Sequence, residues 1–477
     1  MRGDLVIGLD SSTTATKAIA FDRRGRVVAE GRAPIPLSNP RPGWFEQEVS
    51  DWTGAAARAL RQLTRKVDAG RIAGLAISNQ RESFAQFDSN DRPLRPGTLW
   101  LDERAQTEVT DIVSELGDSV HQISGKPPDV TPCLYRCRWL STHMPKLWRN
   151  TAKTAEVHGV LTHYLTGRWA TSTASADPMG LIDVAAMDWS DSLLKAARLT
   201  RQQLPELFRP GHVMGEVTAG AARLTGLKPG TAAVSGSYGR NFAIDRSFRT
   251  LVAVAEDGFS FETAIRTGTF LVNWMVERLF NVNPAKNPAI FKALEAEAAA
   301  SPIGAHGLVL IPYWSGSMTP YWDSAARGVI AGLSGNHSRG DVYRALLEGV
   351  ALELAMTTNQ VAAATSPITH FAAVGGGSRS DLWCQILADA AGRDVKRLET
   401  AEASALGAAM AAARGAGWYR NVADASRAMS GKSSKTFRPR SKDSGRYREL
   451  LAIYEELWPR LSSWNRKLVA FSASAGK

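Results

Sequence analysis

The sequence predicts a two-domain protein of the mixed α/β class. The chain has 477 residues, which is more than one hydrophobic core usually serves. Short apolar runs typical of buried strands alternate with longer segments typical of helices, which is the pattern of a layered α/β architecture. The 41 glycines indicate many tight turns, some of them with backbone close to a ligand.

The first domain is predicted to open with three strands. LVIGLD, AIAFD and VVAEGRAPI form the strands, and the small polar segment SSTTATK turns the chain between the first two. A helix over residues 52–67, with Asp51 as its cap, leads to a further strand, IAGLAIS. We place the domains at residues 1–229 and 230–477, because the composition shifts to small residues shortly before this point.

The second domain is predicted to contain longer helices. FLVNWMVERLF and DVYRALLEGVALELAMTTNQVAAA have helical patterns, HFAAVGGGS is a strand that runs into a glycine turn, and ASALGAAMAAARGAGW is an alanine-rich helix. Both halves place a strand and a small-residue turn before helices, which suggests a duplicated core.

The formal net charge of +11 is compatible with a nucleic-acid partner or with a solvated surface on a protein that handles phosphates. Much of the excess lies at about residues 430–449, which we interpret as a flexible or solvated basic connector. The stretch has few stacking aromatics and no nucleic-acid motif, so nucleic acid is the less favoured partner.

Nothing in the sequence predicts a membrane protein. No apolar run has the length needed to span a bilayer, and the run near the N-terminus is too short for a signal sequence. Three cysteines are too few for a disulfide framework. We therefore expect a cytoplasmic protein; a homodimer is one open alternative for its assembly.

The first chemical motif is the turn after the first strand. Ser12, Thr13 and Thr14 are small hydroxyl residues whose O–H groups, with backbone N–H groups, suit phosphate oxygens. Asp10 at the strand end suits hydrated Mg²⁺, and Lys17 adds positive charge. Taken alone, without supporting motifs, the segment favours an exposed Ser/Thr turn.

The second motif is the glycine-rich segment VGGGSRSDLWCQ, residues 374–385. It follows a predicted strand and precedes a helix, so its backbone could approach a flat or anionic ligand. Its spacing is that of neither a Walker A loop nor a dinucleotide fingerprint. The alternative is a tight strand-to-helix turn.

The third motif combines Arg81 and Glu82 with Asp102 and Arg104, near the ends of predicted strands. Such ends are common ligand sites in open α/β sheets. Neighbouring Arg and Glu side chains can bind adjacent hydroxyls of a polyol as donor and acceptor. The alternative is a structural ion pair, and these residues alone favour neither.

Together these segments strongly resemble the FGGY family of carbohydrate kinases, with xylulokinase-like and glycerol kinase-like features. The resemblance extends from LVIGLDSSTTATKAIAFD through ISNQRES and TLWLDERA to IPYWSGSMTPYWDSAARGVIAGL, YRALLEGVALEL and GGGSRSDLWCQILADAAGRDV. It implies an actin-like (ribonuclease H-like) fold with a cleft between two domains. The implied substrates are ATP and a small sugar or polyol, and the implied metal is Mg²⁺.

The family resemblance also implies roles for individual residues. Arg81, Glu82 and Asp102 would hold the sugar or polyol, and Asp10 would lie near the metal. The implied ATP-binding residues are Ser12, Thr13, Thr14 and Lys17 at the first turn, Gly230 and Thr231 at a second phosphate turn, and Gly376, Gly377, Ser378 and Gln385 near the adenosine.

One segment departs from the family pattern. Family members carry a Gly-Asp motif whose Asp takes the proton from the attacking hydroxyl, but here AARLTGLKPG passes directly into TAAVSGSYGRNFAIDRSFRTL. No acidic residue lies between Glu216 and Asp245. The simplest account is a deletion of the hairpin that bears the base, and Asp245 is a weak substitute in a structural context. We therefore expect a kinase of low activity or, alternatively, a non-catalytic protein that binds ATP or sugar as a sensor or partner.

Overall fold

The chain divides into two units, and a computed structural model describes residues 3–234, 243–253, 258–284, 286–399, 402–431 and 433–474. The first unit comprises Met1–Ile244, Arg249–Phe261 and Glu402–Gly431, and the second comprises Asp245–Phe248, Glu262–Ala401 and Lys432–Lys477. The predicted domains meet at residue 230. The first unit, however, also includes the later segment Glu402–Gly431. Residues 235–242, which follow the predicted deletion, lie outside the described residues.

The strands are short, and most of them belong to the first half of the chain. In chain order they are β1 Leu5–Ser11, β2 Ala15–Phe21, β3 Val27–Pro34, β4 Ser38–Arg41, β5 Trp44–Gln47, β6 Ile72–Asn79, β7 Phe84–Phe87, β8 Gly97–Thr98, β9 Lys153–Glu156, β10 Ala170–Ser172, β11 Ile182–Asp183, β12 Asp188–Trp189, β13 Glu206–Phe208, β14 Ala232–Val234, β15 Arg249–Val252, β16 Phe259–Glu262, β17 Val309–Ile311, β18 Val329–Ala331, β19 His370–Ala373, β20 Asp394–Leu398 and β21 Ser433–Phe437.

The helices include two that are much longer than the rest. In chain order they are α1 Val49–Thr64, α2 Gln106–Leu116, α3 Ser119–Ser124, α4 Cys133–His143, α5 Pro145–Arg149, α6 Val157–Thr166, α7 Thr173–Ala176, α8 Asp191–Ala197, α9 Ala219–Thr225, α10 Gly268–Trp274, α11 Ile290–Ala300, α12 Arg339–Ala364, α13 Asp381–Ala391, α14 Ala403–Gly415, α15 Val422–Met429 and α16 Ser441–Ser474. Short 3₁₀ turns connect several of them, among them Gly376–Arg379.

The first unit is organised by a five-stranded sheet in the order β3-β2-β1-β6-β14. Strands β1, β6 and β14 are parallel, whereas β2 is antiparallel to both β1 and β3. The three opening strands and the IAGLAIS strand are therefore present as predicted. Because the parallel strands end at one edge of the sheet, the side chains that follow β1 and β6 are brought together there.

Helices cover both faces of this sheet. On one face Leu5, Ile7 and Leu9 pack in a core that includes residues of α1 and α6. On the other face α14 and α15 contribute the alanine-rich cluster. Gly8 of β1 permits this approach, since a Cβ there would lie 1.8 Å from the carbonyl oxygen of Ala405. A second five-stranded sheet, β4-β5-β8-β7-β9, lies in the same unit.

The second unit is built mainly from helices. The 26-residue helix α12 begins with a capping box between Ser338 and Asp341 and shares a buried core with residues of α11, α13 and α16. The sheets formed by its described residues have three strands, in the order β19-β20-β21, and two strands, β17-β18.

The basic stretch near residues 430–449 is more regular than the connector that we expected. Within its described part, β21 pairs with β20, and the long helix α16 begins at Ser441; Lys432 lies outside the described residues. Lys435 and Arg440 form ion pairs with Asp381 and Asp389 of α13, respectively. These carboxylates offset part of the positive charge and hold the stretch against α13. The first four residues of β21 are exposed. Across the described ranges no helix combines the length and apolar character required to cross a membrane.

Candidate functional site

Asp10 lies at the end of β1 between two polar neighbours on adjacent strands. The pairing places it beside Lys17 of β2 and Ser78 of β6. Burial raises the pKa of Asp10, and a hydrogen bond with Ser78 and the charge of Lys17 oppose this effect. The Lys17 Nζ atom lies 2.8 and 2.6 Å from the two carboxylate oxygens of Glu402, which immediately precedes α14. The structure thus brings the predicted metal residue and the predicted phosphate-binding lysine together.

The hydroxyl turn after β1 is held by its neighbours. Ser12 Oγ donates to the carbonyl oxygen of Ala15 at 2.9 Å. Thr13 Oγ1 accepts from the indole N–H of Trp100 at 3.0 Å, and the carbonyl oxygen of Thr13 accepts from Gln47 Nε2 at 2.7 Å. Thr13 therefore keeps its own proton for donation. The side chain of Thr14 is exposed.

A cavity of about 390 Å³ lies at the carboxyl end of β6 within the first unit. Its polar lining includes Ser78, Asn79, Arg81, Ser175 and Ser404. The first turn of α14 contributes Ser404, and a segment of β15 contributes part of the apolar wall. We singled out Arg81 from the sequence, but not Ser175 or Ser404, because only the fold brings their distant segments to this strand end.

Glu82 does not line this cavity. Its side chain is buried, and its carboxylate forms an ion pair with Arg249 of β15, with 2.7 Å between Oε1 and Nη1. The backbone of Glu82 has a φ of 55°, an uncommon conformation for a residue other than glycine. Arg136 Nη2 donates to the carbonyl oxygen of Glu82 at 2.6 Å. Glu82 is therefore engaged in an ion pair with Arg249, and its role as a sugar or polyol ligand stays a prediction.

Asp102 is also engaged within the protein. It is fully buried, and its two carboxylate oxygens each accept a hydrogen bond of 2.7 Å from the guanidinium of Arg104. The backbone N–H of Phe45 donates to it at 2.8 Å. Contact with a substrate would require Asp102 to release these donors, so the structure favours the ion-pair alternative here too. Its role as a sugar ligand stays a prediction.

The structure does not bring Gly230 and Thr231 to the Asp10 edge. Both precede β14, whose Ala232 pairs with Gly74 of β6, whereas Asp10 pairs with Ser78 farther along. At about 3.3 Å per residue, the two levels are roughly 20 Å apart along the sheet. Gly230 has a φ of 87° and forms a tight turn. A phosphate group bound beside Asp10 would therefore not contact Gly230 or Thr231, and their assignment to ATP stays a prediction.

The predicted adenosine residues lie together in the second unit. Gly376, Gly377 and Ser378 belong to the 3₁₀ turn after β19, and a Cβ placed on Gly376 would meet open space. Ser378 Oγ donates to the carbonyl oxygen of Gly375 at 2.8 Å. Gln385 Nε2 donates to the carbonyl oxygen of Arg438 at 2.9 Å. Their assignment to ATP remains a prediction.

Asp245 has a local structural role. Its Oδ1 atom accepts from the backbone N–H of Ser247 at 2.8 Å and from the hydroxyl of Ser247 at 2.6 Å. These bonds stabilise the turn that leads to β15. The side chain of Asp245 is exposed. Its role as a weak substitute for the family base stays a prediction.

The described residues contain no group of three or more His, Cys, Asp or Glu side chains arranged to hold a metal ion. Mg²⁺ is commonly bound through one or two carboxylates together with substrate phosphates and water. The Asp10 carboxylate, next to a turn rich in hydroxyl groups, fits a site of that kind.

Comparison with known proteins identifies one family along most of the chain. The N-terminal domain of the FGGY family of carbohydrate kinases matches residues 5–244, and its C-terminal domain matches residues 230–416. Xylulose kinase from Bacillus subtilis (strain 168) is 26% identical over 501 residues, with 98% of this chain and 99% of the relative covered. Glycerol kinase from Ralstonia pickettii (strain 12J) is 28% identical over 478 residues, with 91% and 94% covered.

Solved structures show the same similarity. Xylulose kinase from Rhodospirillum rubrum superposes with a TM-score of 0.83 at 26% identity, covering 97% of this chain and 99% of that one. Gluconate kinase from Lactobacillus acidophilus has a TM-score of 0.89 at 22% identity, with 97% and 99% covered. At that identity the second match supports the fold alone.

Proposed function

Because the chain belongs to the FGGY family of carbohydrate kinases, we propose that it phosphorylates a small sugar or polyol with MgATP at a strongly reduced rate. The family resemblance and the two-domain actin-like fold that it implied are confirmed. The observation that carries the reduced rate is the absence of any acidic residue between Glu216 and Asp245, where the family base is expected.

Phosphoryl transfer is supported by the Asp10 edge of the first unit. Catalysis of this reaction depends mostly on positioning and on electrostatic stabilisation of the phosphates. When bound there, Mg²⁺ would neutralise phosphate charge, and Asp10 would hold it. Lys17 and the free hydroxyl proton of Thr13 supply further groups that suit phosphate oxygens.

The loss of the hairpin is inferred from the sequence itself, in which AARLTGLKPG passes directly into TAAVSGSYGRNFAIDRSFRTL. A general base contributes about 10²–10⁴-fold to a rate, so its loss alone leaves a slow kinase.

The test is sugar-dependent release of ADP by the full-length protein with xylulose, glycerol or gluconate. Typical enzymes turn over at about 1–10³ s⁻¹, and we expect a kcat below about 0.1 s⁻¹ with each acceptor, since the base is lost. Asp10→Asn should abolish the residual rate. An ordinary turnover rate with any of these acceptors would show that the missing segment is dispensable.

The second candidate function is a non-catalytic protein that binds ATP or sugar. It is favoured by the same missing base together with the intact cavity beside Arg81. This candidate predicts that ligands raise the melting temperature while no ADP is released above the Asp10→Asn background. A slow rate that Asp10→Asn removes would favour the kinase instead.

A further inference from the structure

Helix α16 carries more apolar surface than the core of the second unit covers. Three of its apolar side chains are about half exposed: Ile453 at 57%, Trp464 at 54% and Leu468 at 47%. A helix at the surface of a domain normally needs one apolar stripe, directed toward its own core. In α16 that stripe is already supplied by other residues, which are Tyr447, Leu451, Tyr454 and Trp458.

The exposed side chains lie on one further stripe along the helix. Leu450 and Leu457, which are partly buried against the core, fill the intervals between them. The members of this α16 stripe are Leu450, Ile453, Leu457, Trp464 and Leu468. Successive members are separated by three, four or seven residues, the spacing that places side chains on one face of a helix. At 1.5 Å per residue the stripe is about 27 Å long.

Two features of the neighbourhood leave the stripe continuous. Pro459 lies within α16 but five residues before Trp464, which is about 140° away around the helix axis. Trp464 and Leu468 also line a groove of about 620 Å³, together with Val329 and Ile330 of β18. The apolar surface therefore extends beyond the helix and includes a depression that a protruding side chain can enter. Contiguous exposed apolar surface of this kind marks an interaction site.

Charged side chains of both signs accompany the stripe. Glu449 precedes Leu450, Lys467 precedes Leu468, and both charged side chains are exposed. Glu449 pairs with Arg446 only through an exposed contact, which contributes little to stability. Near the middle of the stripe, the charge of Arg460 is paired with Glu456 of the same helix. A second α16 helix running in the opposite direction would bring each Glu449 to a Lys467.

We propose that two copies of this chain associate through the α16 stripe, with their α16 helices antiparallel about a twofold axis. One register places Leu450 opposite Leu468 of the second copy and Ile453 opposite its Trp464. In the same register Glu449 meets Lys467, so the apolar and the charged residues specify one arrangement. Each contact occurs twice because the interface is symmetric. Leu450 and Ile453 of the second copy then lie at the mouth of the groove beside β18.

The first test measures the molar mass of the full-length protein by size-exclusion chromatography with light scattering. We expect twice the mass of one chain at micromolar concentrations. Trp464→Ala should raise the dissociation constant of the dimer at least about 30-fold, because aromatic residues at the centre of an interface contribute most of its affinity. A monomer at every concentration, or a dimer that Trp464→Ala leaves intact, would overturn the proposal.

A matched pair of leucines separates the stripe from exposed apolar surface in general. Leu468 is 47% exposed and Leu224 of α9 is 49% exposed. Leu468→Ala should raise the dissociation constant at least about tenfold, whereas Leu224→Ala should leave it unchanged. Both side chains are half exposed, so both variants should fold, which circular dichroism checks. Equal effects of the two substitutions would contradict the proposal.

Charge reversal tests the antiparallel register. Glu449→Lys and Lys467→Glu should each weaken the homodimer about tenfold at low salt, because each places like charges opposite one another. Mixing the two variant proteins should yield heterodimers in excess, since every such contact then joins a lysine to a glutamate. Native mass spectrometry measures the three species. Single variants that dimerise as tightly as the wild type, or a mixture without excess heterodimer, would refute the register.

A lipid surface is the other occupant that an exposed apolar stripe could meet. Cosedimentation of a monomeric protein with phosphatidylglycerol vesicles would assign the stripe to a membrane surface, against the proposal. A dimer that does not cosediment supports it. None of these measurements depends on turnover, so their outcome is independent of the proposed kinase activity.

Discussion

The first unit builds its core on a complete five-stranded sheet, whereas the described part of the second unit relies on helices around smaller sheets. In the first unit, residues of β1, β2 and β6 separate two hydrophobic clusters, with α1 on one side and α14 on the other. In the second unit, α12 lies within a core formed largely by helices. The second unit therefore retains a large apolar core even though its described sheets are small.

Buried carboxylates of this chain are held in two ways, by cations or by hydroxyl groups. The carboxylates of Glu82 and Asp177 in the first unit face cations, Arg249 and Lys126. In the second unit, the fully buried Glu353 accepts hydrogen bonds from the hydroxyl groups of Tyr313 and Tyr454. Among the described residues, Glu353 forms no ion pair with a cation. Substitutions can therefore probe each type of contact separately.

The largest expected effect concerns the contact between sheet and helix in the first unit. Gly8→Ala would place a Cβ 1.8 Å from the carbonyl oxygen of Ala405, a backbone atom that cannot yield without moving α14. We expect the free energy of unfolding to fall by more than about 4 kcal/mol. Chemical denaturation followed by circular dichroism measures the change. Complete loss of soluble protein would indicate an even larger destabilisation.

The matched control is a glycine of the second unit. Gly376→Ala adds the same methyl group where no atom of the described residues lies within 4 Å, so we expect a change within about 0.5 kcal/mol. Equal stability of the two variants would mean that α14 does not lie against β1, and the contrast between the packed first sheet and the open turn of the second unit would fail.

The local elements of the fold could be predicted from sequence, but their partners could not. The strands β1, β2, β3 and β6 follow from apolar runs and polar turns, which are local signals. The position of α14 in the first unit depends on contacts such as Lys17 with Glu402, which are 385 residues apart. Periodicity predicts a helix and its apolar face, but it does not indicate the surface that this face covers.

The same limit applies to the candidate site. Asp10, Lys17 and Arg81 could be singled out because the residue types and the ends of strands are visible in the sequence. The ion pair of Asp102 with Arg104, two residues away, was one of the alternatives for that motif. The partner of Glu82 is 167 residues distant in sequence, so only the folded chain shows that Arg249 takes up its charge.

A smaller effect tests whether the basic stretch belongs to the second unit. Phe437 of β21 is buried and packs with Val395 and Cys384. Phe437→Ala should lower the free energy of unfolding by about 3 kcal/mol, as measured by denaturant titration. The control is Lys435→Ala in the same strand, expected to change it by less than about 0.5 kcal/mol, because its ion pair with Asp381 is exposed. A flexible connector would make both substitutions neutral.

The smallest expected effect is a pH dependence that belongs to the second unit. Burial raises the pKa of Glu353 to about 7 from an ordinary value of 4.5, and hydrogen bonds from Tyr454 and Tyr313 only partly oppose this. Between these values the folded protein holds a proton that the unfolded chain has released. The stabilising contribution is therefore complete below about pH 4.5 and is lost as the pH rises through 7.

Glu353→Gln should remove this dependence, because an amide can accept from one tyrosine hydroxyl and donate to the other without titrating. From pH 5 to 7 the wild-type free energy of unfolding should fall by about 2 kcal/mol relative to the variant, as measured by denaturant titrations at several pH values. Glu456→Gln, at an exposed ion pair of the same helix α16 that carries Tyr454, should leave the wild-type slope unchanged. Parallel curves for wild type and Glu353→Gln would mean that Glu353 is ionised in the folded state, and its hydroxyl partners would then hold a charge as the cations beside Glu82 and Asp177 do.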